Sequence, residues 1–129
     1  LSKKNYGNLS GMSIVLIASV MSVVADIALT AYCASKSALV GGAKALALEL
    51  ANKGIRVNCI SPGTLVDTAM TDNLKKDLSP EEFMKIKSKY PMDLGSTKDV
   101  AALCIFLLSK ESQWITGQNI IIDGGYSSQ

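Results

Sequence analysis

The sequence predicts an α/β fold in which buried parallel strands alternate with helices. An apolar run, Ser13 to Ser19, is typical of a central strand that is buried on both faces. A long helical segment, Ala31 to Asn52, follows it, and a second apolar strand is predicted at Ile55 to Ile60. A strand, a helix and a strand in this order form one right-handed parallel crossover unit.

The composition indicates one packed domain. The chain has 129 residues, of which 48% are hydrophobic and 5% aromatic, and its formal charge is +2. A charge this close to neutral argues against a nucleic-acid or membrane partner. The apolar stretch from Met12 to Leu29 is interrupted by serines and by Asp26, so we do not expect it to cross a membrane.

The cysteines predict a reducing environment. Cys33, Cys59 and Cys104 are odd in number, widely spaced and set among apolar residues, and the chain has no histidine. This pattern predicts no metal site. It favours buried free thiols in a cytoplasmic protein.

The polar residues 1–11 are typical of the end of a helix followed by a turn. Because no initiator methionine opens the sequence, we expect a polypeptide that begins before Leu1. No charged-then-apolar leader is present in these residues, so no secretory signal is predicted. In this chain alone, the strand that begins at Ser13 is expected to have an unpaired apolar edge.

Two local signals bound the long helix. Thr30 is the predicted N-cap, and Gly54 is the residue type that ends helices in the left-handed conformation. The many small residues between them allow a neighbouring helix or sheet to approach closely, and Leu39, Leu46 and Leu50 supply larger apolar contacts. Residues 20–29 are expected to form a loop over the end of the first strand.

The later part of the chain supplies two more helical regions and a last strand. Residues 69–90 are polar and helix-prone, with a helix start at Ser79-Pro80-Glu81-Glu82, and we interpret their lysines as a solvated face. Ser96 or Thr97 is expected to cap a helix that ends near Ser109. Residues 119–122 form the predicted last strand.

Tyr32 and Lys36 are candidate catalytic residues. They lie four residues apart near the start of the long helix, and four residues turn a helix by about 400°, so both side chains share one face. An ammonium beside a phenol favours the phenolate, which suits the tyrosine to donate or accept a proton. Ser19 ends the first strand and places a hydroxyl at the rim of the sheet.

The second strand is followed by Ser61-Pro62-Gly63. Pro62 is expected to break the sheet ladder, and Gly63 permits close approach of a ligand to the backbone. In open parallel sheets, ligands bind outside the carboxyl ends of the strands. Ser19 and Pro62-Gly63 both fall there, which predicts a binding site at this edge.

The spacing Ser-x12-Tyr-x3-Lys of Ser19, Tyr32 and Lys36 resembles the catalytic core of the short-chain dehydrogenase/reductases. The resemblance implies a Rossmann-like, doubly wound parallel sheet. It also implies an oxidoreductase that uses NAD or NADP to interconvert an alcohol and a carbonyl. By the same resemblance, Tyr32 transfers the proton and Ser19 hydrogen-bonds the substrate oxygen. Lys36 assists Tyr32, and both residues contact the cofactor.

Two later segments extend the resemblance. The run from Arg56 to Thr68 is similar to the family segment that holds the nicotinamide, and this implies cofactor contacts from Pro62, Gly63, Leu65 and Thr68. Thr68 lies one residue further from the proline than in the family pattern, which indicates an insertion around residues 64–66. Its side chain alone equally predicts a helix N-cap.

The run from Trp114 to Gly125 resembles the carboxyl-terminal signature of the family, whose role is to close the sheet edge. We expect Trp114 to pack in the core or at an interface rather than to form a ligand platform.

The resemblance covers the carboxyl-terminal half of a family member. It implies that residues 1–129 are the second half of one NAD(P)-binding domain, with only its C-terminal strands and helices, and that activity needs the first half. Residues 69–90 then correspond to a mobile substrate lid. A polyol, a sugar or a 3-oxoacyl group is the implied substrate.

The expected assembly is a homodimer or homotetramer formed through the small-residue face of residues 31–52. The alternative to an enzyme is a partial chain without activity of its own, which serves only packing or oligomer contacts.

Overall fold

A computed structural model describes residues 11–129, and the helix end expected in residues 1–10 lies outside this range. The described elements are, in chain order, β1 (Ser13–Ile17), α1 (Thr30–Ala51), β2 (Arg56–Pro62), α2 (Ala69–Asp77), α3 (Pro80–Lys87), α4 (Thr97–Leu108) and β3 (Asn119–Ile122). Short 3₁₀ turns occupy Val20–Ser22, Lys110–Ser112 and Tyr126–Ser128.

In the described residues, the strands form one parallel sheet in the order β1-β2-β3. Ile17 of β1 lies opposite Ile60 of β2, and Ile60 lies opposite Ile120 of β3. Because the strands are parallel, their carboxyl ends meet at one edge of the sheet. The predicted α/β fold with an open parallel sheet is confirmed.

The core lies between α1 and the central strand. Ala43 and Ala47, one helical turn apart, are 1% and 2% exposed and pack against Val57 and Cys59 of β2, which are fully buried. Small side chains at this contact bring the helix close to the sheet, as the sequence predicted. The opposite side of α1 is open, and Leu48 there is 82% exposed.

The other face of the sheet is covered by α4 and the segment after it. Side chains alternate between the two faces along a strand, so Arg56 and Asn58 point away from α1. The Arg56 guanidinium donates to the Ser109 carbonyl (2.9 Å), and the Asn58 amide donates to the Ile115 carbonyl (2.9 Å). Leu107 of α4 is fully buried in this layer.

Pro62 does not break β2, contrary to the sequence-based expectation; it is the last residue of the strand and lies opposite Ile122. The register explains why. Ile60 turns its carbonyl toward β1, where it accepts from the Ala18 N–H (2.8 Å), so Pro62, two residues on, faces the same way. β1 has ended before this position, so no strand lies beside Pro62 on that side. The missing N–H of Pro62 therefore breaks no hydrogen bond of the sheet.

The N-cap assignment of Thr30 is wrong. Helix α1 begins at Thr30 itself, its N-cap is Leu29, and no side chain caps it. Ala28 adopts a left-handed conformation (φ 65°), so the chain turns sharply into the helix, and the Leu29 carbonyl accepts the Cys33 N–H at 2.8 Å. At the other end, α1 stops at Ala51, and Gly54 has the positive φ (67°) that the sequence predicted.

Two burial expectations also need correction. Trp114 is 97% exposed and packs in no core, because it lies in the turn after α4 rather than on an element that faces the sheet; the other alternative, packing at an interface, stays a prediction. Cys59 is a buried thiol as expected, whereas Cys33 and Cys104 are only half-buried because they lie on helix sides that the sheet does not fully cover.

The polar segment 69–90 contains two short helices, as its composition indicated. Ser79 and Glu82 form a capping box at the start of α3, and Ser96 and Asp99 form another at the start of α4. Among residues 11–129, no helix combines the length and the apolar character that a membrane crossing needs.

We predict that Leu107→Ala lowers the free energy of unfolding by about 2–5 kcal/mol, because it leaves a cavity among buried side chains. Leu108→Ala is the matched control, since the neighbouring side chain is 50% exposed and should cost much less. Urea unfolding of both variants measures the difference. Equal losses would contradict the burial of the α4 face that carries Leu107.

Candidate active site

Ser19 lies directly after β1, at the carboxyl edge of the sheet. It is extended (φ −166°) and caps the 3₁₀ turn Val20–Ser22, and its Oγ accepts the Met21 N–H at 3.2 Å. The residue is 8% exposed. This contact uses an acceptor lone pair, so the hydroxyl proton of Ser19 stays available for the oxygen of a bound molecule.

Tyr32 and Lys36 lie on the first turns of α1, and one contact joins them to the same edge. The Lys36 Nζ is 5.6 Å from the centroid of the Tyr32 ring and donates to the Ile17 carbonyl at 3.3 Å. Ile17 is two residues before Ser19. The ammonium therefore lies near both the Tyr32 ring and the end of β1, and Ser19 follows that strand end by two residues.

The approach of Lys36 to β1 is from its outer side. The Ala18 N–H donates to the Ile60 carbonyl of β2 at 2.8 Å, so the preceding residue, Ile17, directs its carbonyl away from β2. β1 is the end strand of the sheet in the described residues. The ammonium, with two further protons to donate, faces the side of β1 that no described strand covers.

Pro62 and Gly63 lie at the same edge, at the end of β2. A Cβ on Gly63 would lie 2.9 Å from Cε1 of Tyr90 and 3.1 Å from Cα of Asp123. At those distances any larger residue would force Tyr90 or Asp123 to shift, so contacts inside the protein favour the glycine. The sequence argument from close ligand approach had not identified this requirement.

Tyr90 anchors the segment after β2. Its hydroxyl accepts the Thr64 N–H at 3.1 Å and is hydrogen-bonded to the Thr64 Oγ1 at 2.8 Å, and its ring stacks on Tyr126 with centroids 4.7 Å apart. Tyr90 is 6% exposed. The sequence analysis missed this role; the available signal was an aromatic residue at the end of a polar segment.

Leu65 and Thr68 occupy the next positions of this segment. Leu65 pairs with Gly95, and within residues 11–129 its own N–H has no protein acceptor, whereas those of Gly63, Thr64 and Val66 are bonded. Thr68 caps α2, where its Oγ1 accepts the Thr71 N–H at 3.2 Å and donates to the Thr71 hydroxyl at 3.2 Å. The Thr68 side chain is therefore already engaged in capping.

Asp67 ties the same segment to α4. Its carboxylate accepts the Thr97 N–H (2.8 Å) and the Thr97 hydroxyl (2.6 Å). These two bonds hold the pKa of Asp67 below its usual value, and the bond from the Thr97 hydroxyl has the larger effect. The sequence analysis had not assigned Asp67 a role in the site.

The loop after β1 contacts the polar segment 69–90 through one exposed ion pair, Lys89 Nζ to the Asp26 carboxylate at 3.6 Å. Lys87 pairs with Asp93 at 2.9 Å, and its hydrogen bond lowers the pKa of the Asp93 carboxyl. Lys87 and Lys89 thus have acidic partners within the chain. Exposed pairs of this kind contribute little to stability.

A cavity of about 510 Å³ opens beside the segment after β2. Gly63, Leu65, Gly95 and Val100 are among its lining residues. Ser19, Tyr32 and Lys36 do not line it, so we place the reactive groups at the end of β1 and not in this larger space. Within the described residues, no group of three or more acidic or cysteine side chains is placed to bind a metal ion.

We predict that Thr97→Val raises the pKa of Asp67 toward its ordinary value, because one of two hydrogen-bond donors to the carboxylate is lost. A lowered pKa stabilises the fold at pH values above the ordinary one, about 3.9, and that stabilisation disappears as the pH falls through the lowered value. The stability advantage of the wild type over the variant should therefore shrink in acid.

Carboxyl NMR titration of the two proteins checks this shift. Asp93, whose pKa is lowered by its hydrogen bond with Lys87 and which Asp67 does not influence, is the internal control and should not move. An unchanged Asp67 titration in the variant would contradict the assigned contact.

Comparisons with known proteins match nearly the whole of the chain. A short-chain dehydrogenase family model described as "Enoyl-(Acyl carrier protein) reductase" matches residues 6–127. The 3-oxoacyl-[acyl-carrier-protein] reductase FabG of Buchnera aphidicola subsp. Baizongia pistaciae is 45% identical over 113 residues, which are 87% of this chain and 44% of that protein. The chain thus spans about half the length of the curated relatives it matches.

Solved structures show the same partial coverage. A 4-hydroxyisoleucine dehydrogenase complexed with NADH superposes with a TM-score of 0.83 at 37% identity, over 91% of this chain and 47% of the other. ElxO with NADP bound gives 0.78 at 35% identity, over 91% and 47%. The shared parallel sheet is therefore that of a Rossmann-like fold. With the family model matched over nearly all its length, the chain belongs to the short-chain dehydrogenase/reductase family of oxidoreductases.

Proposed function

We propose that this chain supplies the catalytic half of an NAD(P)-dependent oxidoreductase that interconverts an alcohol and a carbonyl. The observation that supports it is the position of the Lys36 ammonium, 5.6 Å from the centroid of the Tyr32 ring and 3.3 Å from the Ile17 carbonyl, beside Ser19. A cation, a phenol and a hydroxyl at the edge of a parallel sheet suit proton transfer to one oxygen atom.

In the direction of reduction, Tyr32 donates a proton to the carbonyl oxygen of the substrate as that oxygen gains negative charge. Ser19 donates a hydrogen bond to the same oxygen and stabilises the charge in the transition state. The Lys36 ammonium stabilises the phenolate that Tyr32 becomes after it has given up its proton. In oxidation the same groups act in reverse, and Tyr32 accepts the proton of the alcohol.

The residues at this edge fit the nicotinamide half of NAD or NADP. Lys36 has donors left for ribose hydroxyls, and the Leu65 N–H, unbonded within residues 11–129, suits an amide oxygen. We assign the remaining contacts to Tyr32, Pro62, Gly63 and Thr68. The Thr68 hydroxyl caps α2 through the Thr71 N–H, and it would contact the cofactor either beside that bond or in place of it. When bound, the cofactor supplies or accepts the hydride.

We assign residues 69–90 to a substrate lid. This segment holds α2 and α3, and it is linked to the loop after β1 by the Lys89–Asp26 ion pair. The name of the Buchnera relative favours a 3-oxoacyl substrate, and a polyol or sugar is the competing class. Parallel assays with a 3-oxoacyl thioester and with polyols distinguish these two substrate classes.

We further propose a cytoplasmic homodimer or homotetramer formed through α1. A groove of about 440 Å³ runs along this helix and the adjacent β1, and its lining is mostly small and apolar, as at Ala38, Gly42 and Leu46, with one acidic residue, Glu49. Such a surface permits close packing of a second helix. Analytical ultracentrifugation of the protein measures the assembly, and a strictly monomeric species would contradict it.

The second candidate is a partial chain without activity, whose role is limited to packing or oligomer contacts. The exposed apolar side of α1 favours it. Intact mass and the fluorescence of added NADH or NADPH separate the two candidates. A mass near that of the relatives, with cofactor binding, supports the enzyme, and a mass of 13.6 kDa without binding supports the partial chain.

We predict that Tyr32→Phe in the active protein lowers turnover by at least about 10²-fold, because it removes the proton donor. Cofactor affinity should stay within about threefold, since the aromatic ring that faces Lys36 remains. Steady-state kinetics and fluorescence titration with NADH or NADPH measure the two quantities.

Tyr126→Phe is the matched control. It removes a phenol hydroxyl elsewhere in the chain and keeps the ring stacked on Tyr90, so its turnover should match the wild type. Full turnover by the Tyr32 variant would refute the proton-transfer role.

A further inference from the structure

Ser22 is hydrogen-bonded to parts of the chain that are distant in sequence. Its Oγ lies 3.1 Å from the Ser61 Oγ of β2 and 3.5 Å from the Asn119 Nδ2 of β3. Its carbonyl accepts the Ser37 hydroxyl of α1 at 3.1 Å. Nothing in the Ser-x12-Tyr-x3-Lys pattern indicates these contacts.

The three side chains of Ser22, Ser61 and Asn119 close a hydrogen-bonded ring. The Ser61 hydroxyl donates its only proton to the Asn119 Oδ1 at 2.7 Å. In the 3.1 Å contact Ser22 must therefore be the donor to Ser61, and it accepts in turn from the Asn119 amide. Each group donates to the next and accepts from the previous one, an arrangement in which the bonds strengthen one another.

The ring is buried where it meets the sheet. Ser61 is fully buried, and Ser22 and Asn119 are half-buried. Both strand residues are fixed by the sheet, in which Ser61 lies opposite Ile121, and Cys59 lies opposite Asn119. The ring therefore fixes Ser22 relative to β2 and β3, and Ser37 fixes it relative to α1.

Ser22 in turn fixes the conformation that presents Ser19. The Ser22 N–H donates to the Ser19 carbonyl at 2.8 Å, and the two residues are the end and the N-cap of one 3₁₀ turn. Such a turn is too short to be stable without outside contacts. A displacement of about 1 Å at a catalytic group is enough to slow a reaction 10²-fold.

We propose that Ser22 is a positioning residue, which holds Ser19 at the required distance from Tyr32 and Lys36 through the ring with Ser61 and Asn119. This inference rests on the proposed catalytic role of Ser19. Ser22 itself touches neither substrate nor cofactor in this scheme. Its effect on the rate passes through Ser19 alone.

A double-mutant cycle in the active full-length protein tests it. We expect Ser22→Ala to lower kcat roughly 5- to 50-fold while KM and the affinity for NADH or NADPH change less than about twofold. In a Ser19→Ala background, the same substitution should change kcat less than about twofold, because the residue it positions is gone. Ser22→Thr, which keeps the hydroxyl, should restore most of the rate.

Ser112→Ala is the matched control. Its hydroxyl is also buried and donates within a cluster of main-chain carbonyls, but it lies after α4, near the amino-terminal end of β2. It should lower the melting temperature and leave kcat unchanged. If Ser22→Ala does not fold, Ser61→Ala breaks the same ring from the β2 side and replaces it in the cycle.

Two results would overturn the positioning role of Ser22 and leave the role of Ser19 intact. The first is an equal loss of kcat from Ser22→Ala in both backgrounds, and the second is a lower melting temperature of Ser22→Ala with unchanged kcat. Full turnover by the Ser19→Ala single variant would instead refute the proposed role of Ser19. Failure of the positioning role and failure of the catalytic role are therefore distinguishable.

Discussion

The candidate site depends on the hydrogen bond between the Lys36 ammonium and the Ile17 carbonyl. The carbonyl has a fixed position, because the pairing of β1 with β2 sets both its place and its direction. The ammonium lies against it and near the Tyr32 ring, so the sheet register determines where the positive charge lies relative to the phenol. A shift of β1 by one residue would turn this carbonyl toward β2 and leave the charge without its acceptor.

The segment after β2 is held by residues that come much later in the chain. Tyr90 bonds to Thr64, Gly95 pairs with Leu65, and Thr97 bonds to Asp67. The backbone assigned to the nicotinamide is thus fixed by the end of the proposed lid and by the start of α4. Movement of this segment at Tyr90 would therefore reach Thr64 directly through their hydrogen bonds.

The sequence predicted the strands and the helices and proposed the catalytic side chains, because each of these inferences depends on local patterns. Apolar runs locate β1 and β2, and the four-residue spacing places Tyr32 and Lys36 on one face of α1. It could not predict that Pro62 stays in β2, since this depends on where the neighbouring strand ends. It also could not predict that Trp114 lies outside the core, since this depends on a turn that lies outside both layers.

The polar ring was missed for a related reason. Ser22, Ser61 and Asn119 are far apart in sequence, and a serine after a strand is ordinary on its own. Only the parallel order β1-β2-β3 brings their positions to one edge of the sheet. Candidate residues for the chemistry can thus be proposed from spacing, while those that hold them in place follow from tertiary contacts.

The outer side of β1 connects the site to the surface that the described residues leave uncovered. Ile17 directs its carbonyl there, and the apolar groove along α1 and β1 opens on the same side. A carbonyl has two lone pairs, so Ile17 can accept from Lys36 and from a paired strand at the same time. A further strand paired with this edge would therefore leave the contact between Lys36 and Ile17 in place, and the proposed catalytic arrangement is compatible with such a strand.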